Sequence, residues 1–120
     1  ANLKGDISGD TFSSPDGIRV DPKGRLWVQT DAGTGTGVTN TFGNNAMYHV
    51  DQVSKASTRF LVGPTGCEIT GLAYTPDLKT FFVNIQHPKG QWPSNVQGNA
   101  LPPRSATVVV RRSDGKPVGA

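Results

Sequence analysis

Apolar and polar residues alternate in short runs along this chain, and turn formers separate the runs. Gly17-Ile18-Arg19-Val20 and Leu26-Trp27-Val28 flank Asp21-Pro22-Lys23-Gly24. That reads as a strand, a polar Pro-containing turn, and a second strand rich in aromatic and β-branched residues. The plan recurs further on, where Ile69-Thr70-Gly71-Leu72-Ala73-Tyr74 and Phe81-Phe82-Val83 flank Thr75-Pro76-Asp77-Leu78-Lys79. Gly17 matches Gly71 and Pro22 matches Pro76, each 54 residues on. After a one-residue slip in the turn, Leu26-Trp27-Val28 matches Phe81-Phe82-Val83. Further strands are predicted at 47–50, 58–62 and 107–111. No apolar i, i+3, i+4, i+7 stripe is long enough for an amphipathic helix.

A repeat of about 50 residues that opens on a hairpin suits the blade of a β-propeller. The expected fold is therefore all-β, with about two blades built as antiparallel four-stranded sheets. Residues 1–120 form a single segment, with one blade-like unit at about 12–63 and a second, incomplete unit at about 67–120. A complete propeller needs four or more blades, so the stable object is expected to include more chain. Two blades alone leave bare sheet faces, which predicts self-association of the isolated segment.

Composition sharpens this picture in three places. Fifteen Gly and nine Pro make turns frequent. The acidic residues are almost all Asp, with Glu68 the only Glu, a bias towards turns and caps and away from helix. The net charge is +3, and the basic residues are scattered, with Arg111-Arg112 the only adjacent pair. Nucleic-acid binding wants a clustered patch, so it is not expected. Cys67 is the single cysteine, which excludes an internal disulfide and a Cys-rich zinc site. No apolar run reaches the length of a membrane span, and no signal segment is expected within the chain.

Hairpin strands are antiparallel, so the start of the first lies beside the end of the second. Asp16 is then near Asp31, and Glu68 near Gln86 and His87. Stacked as neighbouring blades, the two units gather these five residues on one face, from which the long loops 32–45 and 88–104 also leave. The short turns at 21–24 and 75–79 lie opposite and read as structural.

Each candidate has a plain reading beside the chemical one. Asp16 is a calcium ligand or a turn aspartate between Pro15 and Gly17. Asp31 completes the same cation site or bonds loop amides before Gly33. Glu68, between apolar Cys67 and Ile69, is expected to be partly buried, and a buried charge needs a cation or hydrogen bonds. His87 binds phosphate, donates a proton or ligates metal, or it caps a strand and braces the following loop. His49 reads as a structural strand residue. Gly33-Thr34-Gly35-Thr36-Gly37 lacks the lysine of a phosphate-cradling loop, and no helix is expected after it, so a mobile loop is predicted. Trp27, Phe81 and Phe82 are expected to pack between blades. Trp92, in a polar loop, is expected to line a substrate mouth.

These stretches, with Gly43-Asn44-Asn45-Ala46-Met47-Tyr48, Asn84-Ile85-Gln86-His87-Pro88 and Arg104-Ser105-Ala106-Thr107-Val108-Val109-Val110, resemble the C-terminal part of PhoX-type alkaline phosphatases. Asn84-Ile85-Gln86-His87-Pro88 is the most specific of them. The resemblance covers nearly all of this chain but only the last part of a full-length member. It implies a propeller exported to the periplasm or secreted beyond it, with calcium and iron at a central channel and phosphomonoesters as substrate. The resemblance favours the metal reading of Asp16, and with the residue readings above it leaves Asp16, Glu68 and Asp31 as the candidate metal ligands and His87 as the candidate substrate-binding residue, with no catalytic residue assigned. The Asp16 position also resembles a metal ligand of gluconolactonase-like propellers. Cys67-Glu68 looks like the family's iron-binding stretch but lies in the wrong part of the chain, so iron is not assigned to it. The isolated segment is expected to be inactive. The competing readings are a calcium-dependent lactonase-like propeller and a non-catalytic binding segment.

Overall fold

The computed structural model describes residues 8–93, 95–96 and 99–120. In chain order the strands are β1 (Ser8–Gly9), β2 (Pro15–Val20), β3 (Leu26–Thr30), β4 (Ala46–Val50), β5 (Ala56–Val62), β6 (Glu68–Tyr74), β7 (Phe81–Gln86), β8 (Asn95–Val96), β9 (Asn99–Ala100) and β10 (Ala106–Val110). Among the described residues one helix, α1 (Thr36–Phe42), lies between β3 and β4. Strands β2 to β5 form an antiparallel meander in sequence order, and β1 adds itself parallel to the outer edge of β5. The second sheet runs β6, β7, β10, also antiparallel. Strands β8 and β9 pair separately inside the 88–104 loop.

The duplicated pattern thus becomes two antiparallel hairpins, β2–β3 and β6–β7. Each carries a register shift near its start, between Pro15 and Gly17 in one and between Thr70 and Leu72 in the other. A bulge of this kind bends the strand and re-aims the residues beside it. Gly71 takes the bulge in β6 with φ +62°, and a Cβ there would meet the Asn84 amide nitrogen at 2.8 Å. Only glycine suits that position.

The turns opposite the site are built by aspartates, as expected. Asp21 Oδ1 accepts the amides of Lys23 and Arg25 at 2.9 and 3.1 Å. Its Oδ2 accepts Arg25 Nε at 2.6 Å and Trp27 Nε1 at 3.0 Å. Asp77 closes the second turn through Thr75 Oγ1 and the Lys79 amide.

The main core lies between the two sheets. Trp27 and Met47 from the first meet Cys67, Ile69, Leu72, Phe81, Val83 and Ile85 from the second, closed below by Leu78 and Val118. Trp27 stands edge-on to Phe60 and Phe81, with centroids 5.0 and 5.1 Å apart. Trp27 and Phe81 therefore pack between the sheets as the pattern predicts. Phe82 does not. Side chains alternate along a strand, so it faces away, 38% exposed, beside its register partner Val109 at 57%. The Trp92 ring is half-buried and packs against this core.

The 32–45 segment corrects a second expectation, because α1 begins within the Gly-rich run where a mobile loop was predicted. Its seven residues bury nothing, so no apolar stripe announced it. Thr39 and Thr41 hydroxyls bond back to carbonyls of the preceding turn. Among the described residues no helix is long and apolar enough to cross a membrane.

Candidate metal centre

Hairpin pairing delivers the candidate residues to one end of both sheets. Asp31 directly follows β3, and its amide donates to Ser14 O at 3.1 Å, which holds it beside the start of β2. Glu68 opens β6 opposite Gln86, and His87 follows β7. The two sheets then bring Asp31, Glu68 and His87 together, with one potential ligand atom from each lying within 4.8 Å of the others. Asp16 sits at the bulge of β2, exposed, and its charge reaches Glu68. Gln86 stays in the ladder as an exposed strand residue. His49 lies in β4 opposite Trp27, their rings 5.1 Å apart, a packing position as expected.

His87 is the most constrained of the group. Its φ is +38°, a left-handed value that is uncommon and costly outside glycine. The amide donates to Ser105 Oγ at 2.9 Å, and the ring Nδ1 lies 3.1 Å from Gly66 O. A carbonyl oxygen can only accept, so Nδ1 carries the proton and Nε2 is turned to the site. Nε2 is 3.5 Å from Glu68 Oε2.

Glu68 is 9% exposed. Burial pushes its carboxyl above the ordinary value, the charges of Asp31 and Asp16 push it further, and His87 only partly opposes them. Two nearby carboxylates facing a third acidic group make a site that gains from positive charge. The consequence for stability has a definite sign. A raised folded pKa means that ionising Glu68 costs the native state, so the penalty is absent at low pH. It grows as pH rises from the unfolded value through the folded one. Without divalent cations, Glu68→Gln is therefore expected to melt higher than the wild type at pH 8 and equally at pH 3.5. Equal melting at both values would show that the repulsion is absent.

Cys67 does not join the cluster. It is 1% exposed in the inter-sheet core, and burial pushes its thiol up to about 11. Sequence reasoning passed over Gly66, and it treated Ser105, which with Gly66 orients His87, and Asn45 only as parts of resembling stretches. Asn45 is buried and hydrogen-bonded to Thr30, Ala32 and Cys67. Backbone contacts of these kinds leave no residue-type signature.

Two meander sheets packed face to face, with acidic residues gathered at one end of their leading hairpins, define about two blades of a β-propeller. The family model described as alkaline phosphatase PhoX matches residues 1–89, a span that holds all four candidates, and this chain belongs to that family. A solved structure of Pseudomonas fluorescens PhoX, in complex with vanadate, a transition state analogue, is similar to it. The identity is 42% and the TM-score 0.84 over 92% of this chain and 20% of that one. The present chain thus spans about a fifth of that protein's length. No curated protein matches it.

Proposed function

We propose that this chain is the C-terminal, two-blade part of a longer metal-dependent alkaline phosphatase that hydrolyses phosphomonoesters. The two blades correspond to units 12–63 and 67–120. The observation that carries the reading is the convergence of Asp31, Glu68 and His87 within 4.8 Å, in a member of the PhoX family. That the Pseudomonas fluorescens protein binds vanadate, a transition state analogue, supports phosphoryl transfer.

Asp31, Glu68 and Asp16 are the oxygen donors, a set that suits calcium, which takes six to eight oxygens at about 2.3–2.6 Å. Three side chains fill only part of such a shell, so waters, substrate and other blades supply the rest. Imidazole nitrogen suits softer metals, so His87 is assigned to the substrate, where the doubly protonated ring donates from Nε2 to a phosphoryl oxygen. Iron is assigned to no residue of this chain, and the buried thiol of Cys67, pushed up to about 11, is unsuited to it. A bound cation supplies Lewis-acid polarisation of the phosphoryl oxygens. This chain's own part is to hold its carboxylates close to one another and to orient the His87 ring through Gly66. The parent is placed in the periplasm or outside the cell, and the chain alone is inactive and self-associates through the exposed Phe82–Val109 face.

Hydrolysis of p-nitrophenyl phosphate by the longer polypeptide tests this. Activity that a calcium chelator abolishes and added calcium restores is expected. Hydrolysis of a lactone without any phosphomonoester turnover would replace the phosphatase with a lactonase-like enzyme. Absence of both activities would leave a binding segment.

A further inference from the structure

We infer that Asn45 is the positioning residue that sets the spacing between the Asp31 and Glu68 carboxylates. It stands outside the candidate ligands, is 8% exposed, and every hydrogen-bonding position of its side-chain amide is taken. Oδ1 accepts Thr30 Oγ1 at 3.0 Å and the Ala32 amide at 2.7 Å. Nδ2 donates to Ala32 O and to Cys67 O, both at 2.9 Å. Ala32 O and Cys67 O can only accept, so the orientation of the amide is fixed.

The partners are what give this residue its role. Thr30 and Ala32 are the two neighbours of Asp31, so Asn45 grips the chain on both sides of that carboxylate. The Cys67 carbonyl belongs to the peptide unit whose nitrogen is Glu68's own, so the same amide also fixes the plane from which Glu68 departs. Asp31 comes from the first sheet and Glu68 from the second. Asn45, at the end of the 32–45 segment and just before β4, ties the two blades at the level where their acids meet. A buried, fully satisfied amide is rigid in a way that apolar packing is not. Repulsion between Asp31 and Glu68 would drive them apart, and this bridge opposes it.

This assignment rests on the cation reading for its functional consequence, but not for its geometry, so the two are tested separately. Calcium titration calorimetry on the 120-residue chain compares the wild type, Asn45→Ala and Val118→Ala. Val118 is a core residue 1% exposed and closes the far end of the inter-sheet core. Its truncation is a control for lost stability alone. Asn45→Ala is expected to raise the calcium Kd about 10- to 100-fold, as loss of an outer support does at metal sites. Val118→Ala is expected to lower the melting temperature with Kd unchanged. A Kd for Asn45→Ala within twofold of the wild type overturns the inference, as does an equal rise in Val118→Ala.

If Asn45→Ala does not fold, Thr30→Val keeps the amide and removes one of its four bonds. A rise in Kd of roughly threefold is then expected, and no change overturns the proposal. If the wild type takes up no calcium, the cation reading fails and the metal-free structure of Asn45→Ala decides, or that of Thr30→Val where Asn45→Ala does not fold. Carboxylate oxygens of Asp31 and Glu68 more than 4.8 Å apart, the present limit, support the positioning role, and an unchanged spacing overturns it.

Discussion

Glu68→Ala in the longer polypeptide is expected to lower phosphomonoester turnover by at least about 100-fold, exceeding the loss typical of an outer-shell change. Asp31→Ala should act in the same direction, and both should raise the calcium concentration needed for half-maximal activity. The two substitutions remove oxygen donors from a cluster whose members already repel one another. Neither belongs to the apolar core, since Asp31 is exposed and Glu68, although buried, stands outside the inter-sheet cluster. The metal-free protein should therefore be no less stable than the wild type. A bracing role for Glu68 predicts the reverse pattern, with a lower melting temperature and an unaltered calcium requirement. Activity titrated against free calcium, beside melting curves in chelator, separates the two.

Asp21→Ala is expected to be the most damaging single change at the opposite end of the sheet. The Asp21 side chain is fully buried, and Arg25, which pairs with it at 2.6 Å, is 11% exposed. Breaking a buried pair by removing one partner costs about 3–5 kcal/mol. Here the loss also leaves Trp27 Nε1 without its acceptor inside the core. For a domain of this size a loss of about 3 kcal/mol lowers the melting temperature by at least about 10 °C. The wild type carries a related pH signature. Burial pushes the Asp21 carboxyl up, but the bonds from Trp27, Arg25 and Lys23 outweigh it, and the net shift is downward. Its contribution is therefore complete above the unfolded value of 3.8 and disappears as pH falls through the lower folded value. Thermal melts between pH 6 and pH 2 should show Asp21→Ala and wild type converging at the acid end.

Much of this architecture was legible because it rests on alternation and turn chemistry. Trp27, Phe81, Val83 and Ile85 fall on one side of their strands by the period of two, and Pro22 and Pro76 mark the hairpin turns. Antiparallel pairing then put Asp31 beside the start of β2 and Glu68 opposite Gln86 without any knowledge of side-chain packing. What stayed hidden depends on contacts that residue type does not encode. Helix α1 is held by threonine hydroxyls and buries nothing, so it left no periodic trace. The bulges shift register by one residue, which moves Asp16 out of the ladder and leaves Asp31 as the closer neighbour of Glu68. Phe82 looked like a core aromatic because it adjoins Phe81, although adjacent strand residues face opposite ways. Asn45 and Ser105 act through backbone groups distant in sequence, and only the assembled fold brings these together.

Crystals of the chain grown with calcium chloride and measured for anomalous scattering would address the site directly. The expected result is a calcium peak about 2.3–2.6 Å from carboxylate oxygens of both Asp31 and Glu68, on the side towards which His87 Nε2 is turned. Calcium found only at the carboxylates of Asp51, Asp77 or Asp114, which accept amides of their own turns from Ser54, Lys79 and Lys116, with none beside Glu68, would contradict the metal centre proposed for this chain.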